Sequence, residues 1–173
     1  MSAVASKGKW AQGIRPRNFH WVIADRLAVC ERPGGYGANH RKVRRQEEII
    51  WVREQGFSCV VSLTGAPHNL HNYDELGVTW RHWPLPDDEL ADYEQVRYEE
   101  LRRMLARGER LLLHGEELGD RVCGLVAGYL LWNGLVDSAP RTVTVVERLT
   151  QRQLGPAGRE LVAVAGTLTP PPD

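Results

Sequence analysis

Short apolar runs of strand length alternate with longer amphipathic stretches along this chain. β-rich runs at residues 19–24 and 27–30 flank Asp25-Arg26, a two-residue turn signal, and predict an opening hairpin or bent strand pair. Residues 40–55 read as a helix with Val43, Ile49, Ile50, Trp51 and Val52 turned inward and Gly56 as its stop. The uninterrupted apolar run 57–63 suits the buried middle of a parallel or mixed sheet. A short helix or turn over 69–76 ends at Gly77, and the alternating run 78–83 is a strand that Pro84-Leu85-Pro86 terminates. Asp87-Asp88-Glu89 leads into a helix over 92–107, with Tyr93, Val96, Leu101, Met104 and Leu105 at core spacing and Glu99, Arg102 and Arg103 outside. After a strand at 111–114 comes a helix over 121–133 with almost no polar face, which predicts a central buried helix. Ser138, with Pro140 two residues on, opens a helix to about residue 152, and Gly155-Pro156 precedes a last one over 157–164.

The order is therefore β, β, α, β, short α, β, α, β, loop and three helices. Such alternation gives a sheet covered by helices, with ligand sites outside the carboxyl ends of its strands. The loop after His114 lies at such an end. It reads Gly115-Glu116-Glu117-Leu118-Gly119-Asp120 and leads into Arg121 at a helix start. Strand, loop and helix N-terminus in that arrangement point backbone N–H groups and a helix dipole at an anion.

Composition narrows this reading without redirecting it. A chain of 173 residues is one domain, here 19–166, with a flexible basic arm at 1–18 carrying Lys7, Lys9, Arg15 and Arg17, and a Pro-rich tail at 167–173 expected to fray. Lys and Arg number 22 and so do Asp and Glu, so bulk charge calls for neither nucleic acid nor a membrane surface as partner. The three cysteines, Cys30, Cys59 and Cys123, have no CxxC spacing and read as reduced thiols. No run reaches the ~18 apolar residues of a membrane span, and the N-terminus lacks a signal-peptide core, so the expected location is cytoplasmic. The glycine-rich loop 31–39 lacks the Lys-Ser/Thr ending of a phosphate loop. The basic run His40, Arg41, Lys42, Arg44 and Arg45 reads first as a solvated helix face. With Tyr36 beside it, the alternative is a docking face for nucleic acid or a phosphoprotein.

From about Phe19 to Ala165 the chain resembles the dual-specificity phosphatases of the protein tyrosine phosphatase superfamily. The landmarks are the strand order, Pro84-Leu85-Pro86-Asp87 before a helix, the strand-His-loop-Arg-helix, and the ending Glu147-Arg148-Leu149 through Leu154-Gly155-Pro156 into a terminal helix. The resemblance implies a cysteine-phosphatase-like α/β fold, a central, mostly parallel twisted sheet of about five strands flanked by helices. That family's signature is His-Cys, five residues, Arg, then Ser or Thr. Its Cys attacks phosphorus as a low-pKa thiolate, its Arg grips the phosphate in a fork, and an Asp on the acidic loop protonates the leaving oxygen. Carried over, His114 matches the His, Arg121 the Arg, and Asp87 the acid, with Asp88 as runner-up. The nucleophile position falls on Gly115, the hydroxyl position on Val122, and a signature glycine on Leu118. The candidate ligand-binding loop is Gly115, Glu116, Glu117, Leu118, Gly119, Asp120 and Arg121.

Glu116, Glu117 and Asp120 place three carboxylates in a loop whose one basic residue is Arg121. Like charges ~4 Å apart repel by ~4 kcal/mol at an effective dielectric near 20, so an inward carboxylate, Asp120 above all, is expected to cancel Arg121. Glycine offers no side chain to replace a lost nucleophile. The expectation is a pseudophosphatase: a binding or regulatory module for a phosphorylated or acidic protein or ligand, with no cofactor and no metal. The alternative is an enzyme of altered chemistry in which His114, Glu116, Glu117, Asp120 and Asp87 gather a metal or act as acid and base.

Overall fold

The computed structural model describes residues 12–36, 38 and 40–173. Five strands, β1 (His20–Ile23), β2 (Leu27–Cys30), β3 (Cys59–Ser62), β4 (Trp80–His82) and β5 (Leu111–His114), form one sheet in the order β1-β2-β5-β3-β4. β1 pairs antiparallel with β2 as a hairpin, and the other neighbours are parallel, with His114 level with both Cys30 and Ser62. Six helices complete the fold: α1 (Lys42–Glu54), α2 (His71–Glu75), α3 (Leu90–Ala106), α4 (Asp120–Trp132), α5 (Ala139–Thr150) and α6 (Pro156–Ala165). The element types and order are those read from the sequence. The α/β fold with a mostly parallel five-strand sheet stands.

Strands β2, β3 and β5 are buried throughout, and successive side chains leave opposite faces of the sheet. Leu27, Val29, Cys59, Val61, Leu111 and Leu113 enter the core under α3 to α6. Ala28, Cys30, Val60 and Leu112 enter a smaller core with Ile49 and Val52 of α1 and Tyr73 of α2. Burying such side chains contributes about 1.5–3 kcal/mol each.

α4 is the central helix, buried along its length. Its closest partner is α6. A Cβ built on Gly124 would lie 2.4 Å from Gly158 Cα, so the two backbones meet where only glycine fits. Ser138 caps α5 by accepting from the Arg141 N–H at 3.4 Å, with Pro140 in the first turn as predicted.

Two inward assignments are corrected. Val43 and Val96 are exposed, because the buried stripe of α1 runs Arg45, Glu48, Ile49, Val52 and that of α3 runs Glu94, Tyr98, Leu101, Met104. Both valines lie off those stripes. The Pro-rich tail expected to fray is tied to α3 and α4: the Trp132 indole donates to Thr169 O at 2.7 Å, Gln95 exchanges bonds with Thr169, and Arg102 donates to Pro172 O. Most of the expected basic arm, including Lys7 and Lys9, lies outside the described residues. Its end is anchored, with Ile14 N–H donating to Glu47 O and Arg17 O accepting from Glu31 N–H, each at 3.0 Å.

Candidate active site

β5 ends at His114 in the middle of the sheet, and the loop 115–119 carries the chain to the N-terminus of α4, with Gly119 as its N-cap. The His114 imidazole is buried. Its Nδ1 lies 2.8 Å from Gly115 O and its Nε2 3.3 Å from the Tyr73 hydroxyl. Burial pushes its pKa down to about 4, so the ring is neutral at pH 7 and serves to hold the loop.

Gly115 follows, buried and without a side chain. A Cβ there would fall 2.8 Å from Val122 Cγ2 and 3.3 Å from Glu117 O. Val122, itself buried, thus fills the space at the base of the loop, and its branched side chain has little rotamer freedom with which to give way. None of the three thiols stands in for a nucleophile. Cys30, Cys59 and Cys123 are all buried, and burial raises each pKa, Cys59 to about 11, opposite to the shift of a reactive thiolate.

The side chains of the loop divide into two sets. Glu116 and Glu117 are exposed. The Glu116 carboxylate accepts from Arg32 NH1 at 3.0 Å while its carbonyl accepts from the Arg32 N–H at 3.2 Å. Leu118 and Asp120 turn the other way. The Leu118 side chain is buried in the core under α4, and its carbonyl accepts from the Arg152 guanidinium. Asp120 Oδ1 accepts from Gly155 N–H at 2.7 Å and Oδ2 from Gly158 N–H at 2.8 Å. The expectation that Asp120 opposes Arg121 is therefore corrected. Its carboxylate caps α6, whose own N-cap, Gly155, has no side chain to do so.

Arg121 reaches across to the acidic loop. Its NH2 donates to Pro86 O and its NH1 lies 3.6 Å from Asp87 Oδ1. Asp87 is fully exposed, so the ion pair contributes little and the carbonyl contact matters more. The structure thus brings His114, Gly115, Arg121 and Asp87 to one mouth, with Arg121 already engaged by protein oxygens. Asp88, beside Asp87, is exposed. Among the described residues no three His, Cys, Asp or Glu side chains gather as a metal site.

Arg32, Tyr73 and Arg152 were not singled out from the sequence. Arg32 lies two residues beyond Cys30, which is level with His114, so the register of β2 on β5 carries it to Glu116. The basic run of α1 also splits. Arg41 and Lys42 are exposed, whereas Arg44 pairs with Glu48 at 3.2 Å and Arg45 turns inward on His40.

No family model matches the chain, and no curated protein matches it. Solved structures do. Tk-PTP in its active form is 17% identical, with 86% of this chain and 96% of that chain covered and a TM-score of 0.69. A kinase-associated phosphatase with serine substituted for its catalytic cysteine is 18% identical, with 85% and 92% covered and a TM-score of 0.72. A human tyrosine phosphatase-like serine/threonine/tyrosine-interacting protein is 11% identical, with 85% and 92% covered and a TM-score of 0.60. The likeness is one of fold: the sheet and flanking helices are those of protein tyrosine and dual-specificity phosphatase structures.

Proposed function

We propose that this protein is a pseudophosphatase, a phosphatase-like domain that binds or regulates rather than hydrolyses. One observation carries the reading: at the place where the resemblance calls for cysteine, the chain has Gly115, and the space for even a Cβ is taken by Val122. A covalent nucleophile splits one difficult displacement into two easier ones, and a bare backbone cannot form the intermediate. The engagement of Arg121 by Pro86 O and Asp87 supports the same reading, since the guanidinium must leave those oxygens to grip a phosphoryl group. One fold neighbour is itself named as a phosphatase-like interacting protein. The partner class is a phosphorylated or acidic protein or ligand, met in the cytoplasm, where the three buried thiols stay reduced. With Arg121 engaged, the partner is met on a surface other than the bottom of the loop.

The test is turnover of p-nitrophenyl phosphate and of phosphotyrosine and phosphoserine peptides, followed by phosphate release. The expected rate is that of buffer. A saturable rate that disappears in Arg121→Ala overturns the proposal. The same rate lost on chelation, with Arg121→Ala unaffected, favours the metal or acid–base alternative.

A further inference from the structure

Where α1 and α2 meet the carboxyl ends of β2, β3 and β5, Arg32, Arg45, Thr64, His68, Tyr73 and His114 line a small, partly open cavity of about 10 Å³, with His68 at its exposed rim. Arg45 is the unusual member. It is 9% exposed, its NH1 lies 3.2 and 3.1 Å from the two ring nitrogens of His40, and its Nε has no hydrogen-bond partner among the described residues. A buried guanidinium with an unpaired N–H is costly unless something accepts from it. Arg32 is nearly as buried and spends NH1 on Glu116, on the mouth side.

No carboxylate lines this cavity. Glu75 and Arg32 both act on Arg45 through their charges, in opposite senses, and burial, with the neighbouring arginines and against Glu116, pushes the His40 pKa down. The charged groups facing the space are thus all donors. The Thr64 hydroxyl already donates to Ala66 O at 2.9 Å, and the Tyr73 hydroxyl is shared with His114. A water would have to place both its hydrogens on acceptors, which this lining offers only as neutral groups such as Asn69 and Thr64 beside two cations. A small anion has no such need and offsets two like charges that repel.

We propose that the cavity is a halide site, holding one chloride between Arg32 and Arg45. Phosphate and sulfate are too large for it, which separates this site from the loop at the mouth. The anion is a structural ligand: it joins α1 to Arg32, and through Arg32 to Glu116 and the loop.

The experiment is thermal unfolding at constant ionic strength as sodium isethionate, whose anion is too large to enter, is replaced stepwise by sodium chloride or bromide. Binding to the folded state alone raises Tm in a saturable way. The expected result is such a rise with both halides, lost in Arg45→Gln. In parallel, the 35Cl NMR line of a chloride solution is expected to broaden with added wild-type protein and to sharpen again on adding bromide, a readout that does not depend on the variant folding. Equal Tm in isethionate and chloride together with no protein-dependent broadening overturns the proposal, as does an equal rise in phosphate.

Discussion

The loop after β5 has two sides, and they are built differently. At its back, Leu118 is buried and its carbonyl is held by Arg152, Asp120 caps α6 through Gly155 and Gly158, and the α4 and α6 backbones touch at Gly124 and Gly158. At its mouth, Glu116, Glu117 and Asp87 are exposed, and Glu116, Asp87 and Arg121 are paired with other groups of the protein. Under the proposed reading such a loop has two tasks, to hold the N-terminus of its helix in place and to meet a phosphorylated or acidic partner. The first is carried here by half-buried polar groups, above all Asp120 with a backbone N–H on each carboxylate oxygen, that cost stability to remove. The charges at the mouth are spent on one another near solvent, where pairing contributes little.

The contrast is broken first at the back. Gly158→Ala places a Cβ 2.4 Å from Asp120 Oδ1 and 2.6 Å from Leu154 Cδ2, with the α4 backbone as close, and is expected to cost about 3 kcal/mol or more in urea unfolding. Asp120→Ala leaves two helix N–H groups unpaired and removes a charge from a helix N-terminus, for about 2–3 kcal/mol, while Asp120→Asn, keeping one acceptor oxygen, should lose about half of that. An Asp120→Ala protein as stable as wild type that binds phosphate more tightly would return Asp120 to the mouth.

Stability against pH separates the two sides next. Glu94 is fully buried under α4, beside the Tyr98 hydroxyl that donates to Leu125 O, and burial raises its pKa to about 8. The folded state therefore keeps a proton that the unfolded chain gives up, and stability falls as pH rises from about 4.5 to 8, most visibly by about 2 kcal/mol between pH 6.5 and 8. His114 has the opposite sign. Its pKa of about 4 means that the unfolded chain takes up the proton first, so its contribution is complete above pH 6.5 and is lost as pH falls toward 4. Glu94→Gln should flatten the alkaline limb and His114→Gln the acid limb, read from urea midpoints across pH. At the mouth the effects are smallest: Arg121→Met and Glu117→Gln should each change stability by under about 0.5 kcal/mol.

Most of the fold was legible in the sequence, because the short uninterrupted apolar runs of β2, β3 and β5 and the nearly all-apolar α4 are strong signals. Val43 and Val96 were misplaced because the true stripes of α1 and α3 contain Arg45, Glu48 and Glu94, and an apolar count ignores polar residues that are buried. The mouth was anticipated through His114 and Arg121, which share one short loop, and through Asp87, which lies far from them in sequence and came only from the family resemblance. Asp120 was not, since its partners lie 35 and 38 residues away. A clue was present: a helix beginning at Gly155-Pro156 has no capping side chain of its own and needs an acceptor from elsewhere. Arg45 was read as solvated because its inward turn depends on how α1 docks on the sheet.

The central claim, that the mouth forms no covalent phosphoryl intermediate, is tested without knowing any substrate. A cysteine phosphatase run in reverse on inorganic phosphate exchanges its oxygens with water, because forming the phosphocysteine expels one oxygen as water and hydrolysis returns another. Incubation of the protein with 18O-labelled phosphate, followed by 31P NMR, should show loss of label no faster than in buffer. Loss of label that scales with protein concentration and vanishes in Arg121→Ala would contradict it.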